Sequence, residues 1–201
     1  MKIVTIPVGL LDTNCYLVYV EASRRLYVID PGANAPEIVR AARRFDFRRA
    51  SILLTHAHVD HISAVAEVAA ALQVDGVFLA EEDHELYRSP DNAMLPYLEA
   101  ARNLPEAAVF APNDDFTVIP LPGHTPGGSG FLFRESPALF AGDTIFAGSI
   151  GRTDFPGGDF GTIIDSIRNG ILTLPDELTI YPGHGSQTTV GAERRSNPYI
   201  Q

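Results

Sequence analysis

The 201-residue chain has little of several features that mark whole classes of protein. Cys15 is its single cysteine, so no disulfide can form within the chain. Residues 1–7 lack the long apolar segment of a signal peptide, and no apolar run approaches the length of a membrane span. We therefore expect a cytoplasmic protein that does not act at a membrane.

Positive charge is also scarce. The chain has 15 lysine and arginine residues against 25 aspartate and glutamate residues, a formal net charge of −10. Such a surface repels phosphate backbones, which argues against nucleic acid as a substrate or partner. Hydrophobic residues make up 45% of the chain, as in globular proteins. With no linker or low-complexity tract in the sequence, we expect a single domain over residues 1–201.

Apolar runs and turn residues predict the order of secondary-structure elements. Strands are predicted at residues 2–8, 14–20, 25–30, 51–54, 76–79, 116–121, 130–133, 138–141 and 178–181. Helices are predicted after a cap at Asn34, at 62–72, in pieces over 81–102, at 162–172 and at 190–195. The two halves of this order suit an α/β fold in which two sheets face each other with helices outside.

The densest group of polar side chains follows the predicted strand at 51–54. His56, His58, Asp60 and His61 lie within six positions, on a loop leaving the carboxyl end of a buried strand. Open α/β sheets place ligands at such strand ends. Imidazole and carboxylate groups suit zinc, iron or manganese, so the pattern predicts a metal site. A histidine-rich surface turn is the alternative interpretation.

Three further donors each follow a later predicted strand. They are His124, Asp143 and His184. A single loop histidine is usually solvated, and a single aspartate can simply cap a turn. Asp143 could instead bridge two cations, because each carboxylate oxygen can serve one metal ion. Together with the first group, these residues give four strand ends that carry metal donors.

The order His-x-His-x-Asp-His, His124, Asp143, His184 resembles the metallo-β-lactamase superfamily over nearly the whole chain. The resemblance implies the four-layer αββα sandwich of that family. It also implies two metal sites and a bridge, formed by His56, His58 and His124, by Asp60, His61 and His184, and by Asp143. Asp30, in the sequence Ile-Asp-Pro-Gly, matches a further family motif and is expected to support a ligand or a turn.

Within the superfamily, the sequence resembles the small glyoxalase II-like hydrolases. The similar segments are residues 13–17, 151–159 and 188–198. β-Lactamases with two metal ions use a cysteine ligand, whereas positions 60 and 143 are aspartates here. Flavo-diiron proteins have glutamate where His58 stands, and the nucleases of the superfamily carry large inserts or arms that this chain lacks.

The glyoxalase II resemblance implies hydrolysis of S-D-lactoylglutathione or a related hydroxyacyl thioester. Two metal ions about 3.5 Å apart can share a water molecule and lower its pKa to near neutrality, which creates a nucleophile for the thioester carbonyl. Asp143 as the bridge and Asp60 as a ligand and proton acceptor are then the catalytic candidates. Arg152, Arg194 and Arg195 are candidates for binding the carboxylates of the substrate, since guanidinium pairs bidentately with carboxylate.

The cofactors expected are two divalent metal ions, zinc foremost, although the same ligands accept iron or manganese. Long glyoxalase II enzymes use a helical C-terminal domain to hold glutathione, and these 201 residues contain none. We therefore expect weak substrate binding, that is, a high Michaelis constant. The alternative enzyme is a persulfide dioxygenase with one iron, whose histidine signature and Gly-Arg-Thr-Asp-Phe stretch are similar. A non-catalytic metal-binding domain is a third hypothesis. We expect a monomer or a small homo-oligomer.

Overall fold

Two β-sheets organise the chain, and each lies within its own unit. The computed structural model describes residues 1–200, and contacts divide the chain into the units Met1–Phe110 and Ala111–Gln201. All strands of the larger sheet belong to the first unit, and all strands of the smaller sheet belong to the second. The single domain expected over residues 1–201 stays a prediction.

The first unit contains a six-stranded sheet in the order β1-β2-β3-β4-β5-β6. Its strands are β1 Lys2–Val8, β2 Thr13–Val20, β3 Arg25–Ile29, β4 Arg49–Leu53, β5 Val77–Phe78 and β6 Ala107–Ala108. The first three strands are antiparallel, and β3 to β6 run parallel. Strand β2 is buried at every position because it lies inside the sheet and its sequence is largely apolar. The parallel strands bring their carboxyl ends to one edge of the sheet.

Four α-helices accompany this sheet. They are α1 Ala35–Ala42, α2 Val59–Ile62, α3 Val65–Leu72 and α4 His84–Arg88, and 3₁₀ turns lie at Glu81–Asp83 and Pro90–Asn92. Helix α1 buries Ile38, Val39 and Ala42, the apolar face that the sequence predicts. Asn34 precedes α1 as expected, but its side chain does not cap the helix. Instead its Oδ1 accepts a hydrogen bond from the backbone N–H of Gly9 at 3.0 Å.

The second unit contains a five-stranded sheet in the order β13-β12-β9-β8-β7 and a separate hairpin, β10-β11. Its strands are β7 Phe116–Pro120, β8 Ser129–Phe133, β9 Ala138–Gly142, β10 Ile145–Phe146, β11 Ser149–Ile150, β12 Thr179–Pro182 and β13 Thr188–Thr189. Strands β9 and β12 are parallel, and the other pairs are antiparallel. The carboxyl ends of β9 and β12 therefore lie side by side.

Two helical segments pack within the second unit. Helix α5 Phe160–Ser166 continues into a π-helical stretch, Ile167–Ile171, and helix α6 spans Val190–Ser196. The predicted isoleucine face is buried in the core of this unit. Asp159 and Thr189 cap the two helices through their side-chain oxygens. None of the helices within residues 1–200 has both the length and the apolar character that crossing a membrane requires.

The structure departs from the predicted elements at short strands and in one long helical prediction. The sequence does not predict strands β6, β10, β11 and β13, because two residues are too few to show an alternating pattern. Strand β5 is as short, but it lies within the longer apolar run at 76–79. The helical pieces predicted over 81–102 end at Asn92, beyond which residues 93–102 form no helix. Pro96 lies in that stretch, and proline cannot donate a helical hydrogen bond.

The burial of Cys15 predicts that its thiol is inert in the folded protein. Its side chain is fully buried in β2, and burial, with a smaller contribution from the charge of Asp30, raises the thiol pKa well above its ordinary value. Because the thiolate is the reactive form, we expect no reaction with a thiol-specific chromogenic disulfide at pH 8. The same protein in guanidinium chloride should release one equivalent of chromophore per chain. Stoichiometric labelling of the native protein within minutes would contradict this packing.

Candidate metal centre

The donors of the first unit lie between the end of β4 and the first turn of α2. The chain bends at Thr55 after β4, and His58, the residue before α2, has an extended backbone. Ala57 is buried in the hydrophobic core of the unit. In this loop the imidazoles of His56 and His58 lie against each other, with Ala57 between them in the sequence. The single-residue spacing of the motif thereby brings the two imidazoles together.

These four donors form one buried cluster. His56, His58, Asp60 and His61 are each at most 7% exposed. The ring centroids of His56 and His58 lie 4.9 Å apart, and those of His56 and His61 lie 4.1 Å apart. Asp60 Oδ2 lies 3.4 Å from His61 Nε2. The alternative interpretation, a histidine-rich surface turn, is therefore wrong.

The buried carboxylate of Asp30 orients two of these histidines. Its Oδ1 accepts the backbone N–H of Thr55 at 2.8 Å, and its Oδ2 accepts the Thr55 hydroxyl at 2.6 Å and His61 Nδ1–H at 3.0 Å. Because the Thr55 proton is directed at Asp30, the hydroxyl oxygen accepts from His56 Nδ1–H, 3.0 Å away. Both imidazoles then present Nε2 as the metal donor. Asp30 thus supports two of the candidate ligands, and their binding to metal stays a prediction.

Asp60 is held at both its backbone and its side chain. A Cβ at position 32 would lie 1.5 Å from the backbone oxygen of Asp60, so only glycine fits there. The hydroxyl of Thr13 donates to Asp60 Oδ2 at 2.9 Å. The loop that follows Asp30 and the start of β2 thus fix this carboxylate together.

Sequence reasoning missed two supporting side chains of this cluster. Besides Thr13, the fully buried Asp83 accepts the backbone N–H of Ala57 through Oδ2 at 3.1 Å. Thr13 opens the segment 13–17, which resembles glyoxalase II-like proteins, but that resemblance implies no role for its hydroxyl. Asp83 stands in an acidic run that reads as a solvated helix face, and no pattern within the sequence separates it from its neighbours.

The second unit forms a smaller donor cluster of its own. His124 follows β7, Asp143 follows β9 and His184 follows β12, as the sequence predicts. Asp143 Oδ2 lies 3.7 Å from His124 Nε2 and 3.5 Å from His184 Nε2. The parallel pairing of β9 and β12 explains why Asp143 and His184 meet. Asp143 therefore stands between two imidazoles, the position expected of a bridging ligand.

The segment after β11 orients this second cluster. The carbonyl of Arg152 accepts His124 Nδ1–H at 2.7 Å, which leaves Nε2 directed at Asp143. A Cβ at position 151 would lie 1.7 Å from the backbone oxygen of Asp143. Glycine at this position, like Gly32 in the first unit, allows the backbone to pack directly against a donor residue.

The three candidate substrate-binding arginines lie in the second unit. Arg152 is exposed, makes a bidentate ion pair with Asp154 at 2.9 and 2.7 Å, and stacks 4.2 Å above the ring of Phe155. Its hydrogen bonds lower the pKa of the Asp154 carboxyl to about 2.

The other two arginines contact the chain near the end of the π-helical stretch. Arg194 donates to the carbonyls of Leu172 and Leu174 and pairs with Asp176, and Arg195 lies 3.5 Å from the same carboxylate. These contacts give Arg194 a role in the fold. Substrate binding by all three arginines stays a prediction.

The donor chemistry of both clusters fits a divalent transition metal. All seven donors are imidazoles or carboxylates, the ligands that zinc, iron and manganese share. In each unit a carboxylate or carbonyl fixes the tautomer of at least one histidine, an arrangement usual around metal-binding imidazoles.

Comparison with known sequences shows similarity over the full chain. Hydroxyacylglutathione hydrolase GloC of Haemophilus influenzae is 37% identical over 214 aligned positions, which include 100% of this chain and 98% of that protein.

Solved structures are also similar to this chain over nearly its whole length. TTHA1623, solved in a di-iron-bound form, has a TM-score of 0.88 and 36% identity over 98% of this chain and 99% of its own. BLEG-1, solved as a B3 metallo-beta-lactamase, has a TM-score of 0.88 and 32% identity over 100% of both chains. The sequence argument against a β-lactamase rests on the absence of a cysteine ligand. The fold adds nothing to that argument, because a protein solved as a metallo-beta-lactamase has a similar fold.

The sequence family described as the metallo-beta-lactamase superfamily matches residues 8–184. That range includes every donor residue of both clusters. The predicted resemblance and the α/β fold of this type are confirmed. The comparisons also support the predicted metallohydrolase, whereas the number of metal ions stays a prediction. The chain belongs to the metallo-β-lactamase superfamily.

Proposed function

We propose that this chain is a metal-dependent thioester hydrolase that cleaves S-D-lactoylglutathione or a related hydroxyacyl thioester. The observation that carries the proposal is the set of seven candidate metal donors, gathered into one cluster in each unit, in a chain that resembles a hydroxyacylglutathione hydrolase along its full length. The substrate would be a small molecule rather than a nucleic acid or a membrane. We keep the cytoplasm as its proposed location.

We propose that both clusters supply ligands to one binuclear centre. Its ligands would be His56, His58 and His124 for the first ion, Asp60, His61 and His184 for the second, and Asp143 for both. A single catalytic zinc ion takes three protein ligands, so seven donors exceed the need of one ion. We propose zinc as the metal, and the di-iron form of a similar structure supports iron as the alternative.

Divalent metal ions would supply Lewis acidity and lower the pKa of a water molecule to about 7. The chain's own contribution is orientation and charge. Asp30 accepts Nδ1–H of His61 directly and, through the Thr55 hydroxyl, keeps Nδ1 of His56 protonated, so that Nε2 of each ring would be the donor. Asp60 places negative charge beside His61, where it can also accept a proton from an attacking water molecule, and Asp143 places negative charge between His124 and His184.

The leaving group of a thioester makes modest demands on the protein. An ordinary thiol has a pKa of about 8.5, so the thiolate departs at neutral pH without a strong general acid. None of the described residues therefore needs to be assigned that role. Arg152, Arg194 and Arg195 are proposed to contact the carboxylates of the thiol carrier. The side chains of Arg152 and Arg195 are 60% and 68% exposed, against 40% for Arg194, so these two are the more accessible candidates.

We expect the purified protein to contain two metal ions per chain, because seven donors are present. Inductively coupled plasma mass spectrometry on protein purified without added metal measures the ratio. One tightly held iron per chain, with the second site empty in a crystal structure, would contradict the binuclear hydrolase and support the persulfide dioxygenase.

We expect Asp143→Ala to lower both metal content and thioesterase activity, the latter by at least about 100-fold. Loss of an outer contact to a metal ligand costs about 10- to 100-fold, and loss of a bridging ligand should cost no less. Asp114→Ala, which removes an exposed carboxylate from the same unit, is the matched control and should keep both properties. An Asp143→Ala protein with two metal ions and near-normal turnover would show that Asp143 is not the bridge.

We expect the protein to release thiol from S-D-lactoylglutathione in a metal-dependent manner. The reason is the binuclear donor set combined with a leaving group that needs no acid. The assay follows free thiol, and parallel reactions follow oxygen uptake with glutathione persulfide and ring opening of a β-lactam. Oxygen uptake without thioester cleavage would favour the dioxygenase, and β-lactam hydrolysis alone would favour a β-lactamase.

A further inference from the structure

We propose that Thr13 is a positioning residue for Asp60 and that its hydroxyl sets the affinity of the second metal site without setting that of the first. This inference rests on the proposed function, because the ligand role of Asp60 belongs to it. Thr13 is neither a metal donor nor a substrate contact. It acts through the carboxylate that it touches.

The contact joins two buried polar side chains. Thr13 is 0% exposed, and its Oγ1 donates to Asp60 Oδ2 at 2.9 Å. His61 Nε2 approaches the same carboxylate oxygen at 3.4 Å. The hydrogen bond selects one rotamer of Asp60 within a cluster where a small rotation would move the donor oxygens.

Thr13 itself has little freedom. Its backbone pairs with Val8 at the start of β2, a strand that is buried along its whole length. A β-branched side chain has restricted χ1, so the hydroxyl is a rigid donor. The backbone of Asp60 is fixed as well, because Gly32 packs against its carbonyl oxygen. With both ends of Asp60 held, removing the hydroxyl frees only the side chain.

The first metal site depends on different supports. His56 is oriented by the hydroxyl of Thr55, and Asp83 holds the backbone of Ala57 between His56 and His58. Neither contact involves Thr13. Loss of the Thr13 hydroxyl should therefore weaken binding of one equivalent of metal and leave the other intact. A residue that only stabilised the fold would weaken both.

The experiment titrates metal-free protein with Co²⁺ and follows the visible absorption of the bound ion together with binding heat. In Thr13→Val, which keeps the shape and removes the hydroxyl, the second equivalent should bind about 10- to 100-fold more weakly, and the first should be unchanged. Thr13→Ser, which keeps the hydroxyl, should bind both equivalents like the wild type. Thr5→Val makes the same change on the adjoining strand at an exposed position and should also bind both normally.

Thr13→Ala is the second hydroxyl-free variant and must show the same split if Thr13→Val fails to fold. Equal weakening of both equivalents, unchanged binding, or unfolding of both hydroxyl-free variants in the absence of metal would overturn the positioning role. Failure of the proposed function is a separate result, because wild-type protein would then bind fewer than two equivalents. Two equivalents in the wild type with no split in the variants would refute the role of Thr13 alone.

Discussion

The first donor cluster depends on the buried carboxylate of Asp30. A carboxylate that is 1% exposed is costly to bury unless hydrogen bonds satisfy its oxygens. Asp30 accepts from the backbone and hydroxyl of Thr55 and from His61, and hydrogen bonds to a charged group contribute about 1.5–3 kcal/mol each. The same bonds that stabilise the charge decide which nitrogen of two histidines carries a proton. At Asp30, the hydrogen bonds that stabilise the fold are therefore the same ones that orient the candidate ligands.

Both units use glycine to bring a loop against an aspartate donor. Gly32 packs on the backbone of Asp60 and Gly151 on the backbone of Asp143, each at a distance that excludes any side chain. A residue near each glycine then holds a histidine. Asp30, two positions before Gly32, accepts a hydrogen bond from His61, and the carbonyl of Arg152, next to Gly151, accepts one from His124. The two loops differ in sequence, but each one contacts both an aspartate and a histidine of its donor cluster.

The donors themselves could be predicted from the sequence because their signal is local. His56, His58, Asp60 and His61 stand within one loop after an apolar strand, and the later donors each end a strand. The supports are not local: Thr13 lies 47 positions from Asp60, and Asp83 lies 26 positions from Ala57. A single threonine or aspartate at such a distance leaves no periodic pattern. Strands β6, β10, β11 and β13 escape prediction for the related reason that pairing partners, rather than their own residues, define them.

The distribution of these supports bears on the choice between one metal ion and two. A mononuclear site on His56, His58 and His124 would need neither Asp60 nor His61. Yet His61 is held by a buried carboxylate, and Asp60 is fixed at its backbone by Gly32 and at its side chain by Thr13. Burying two carboxylates against one imidazole, that of His61, raises the free energy of the folded chain unless positive charge offsets it. A second divalent ion would supply that charge, and this is the physical reason for proposing a binuclear hydrolase rather than a dioxygenase with one iron.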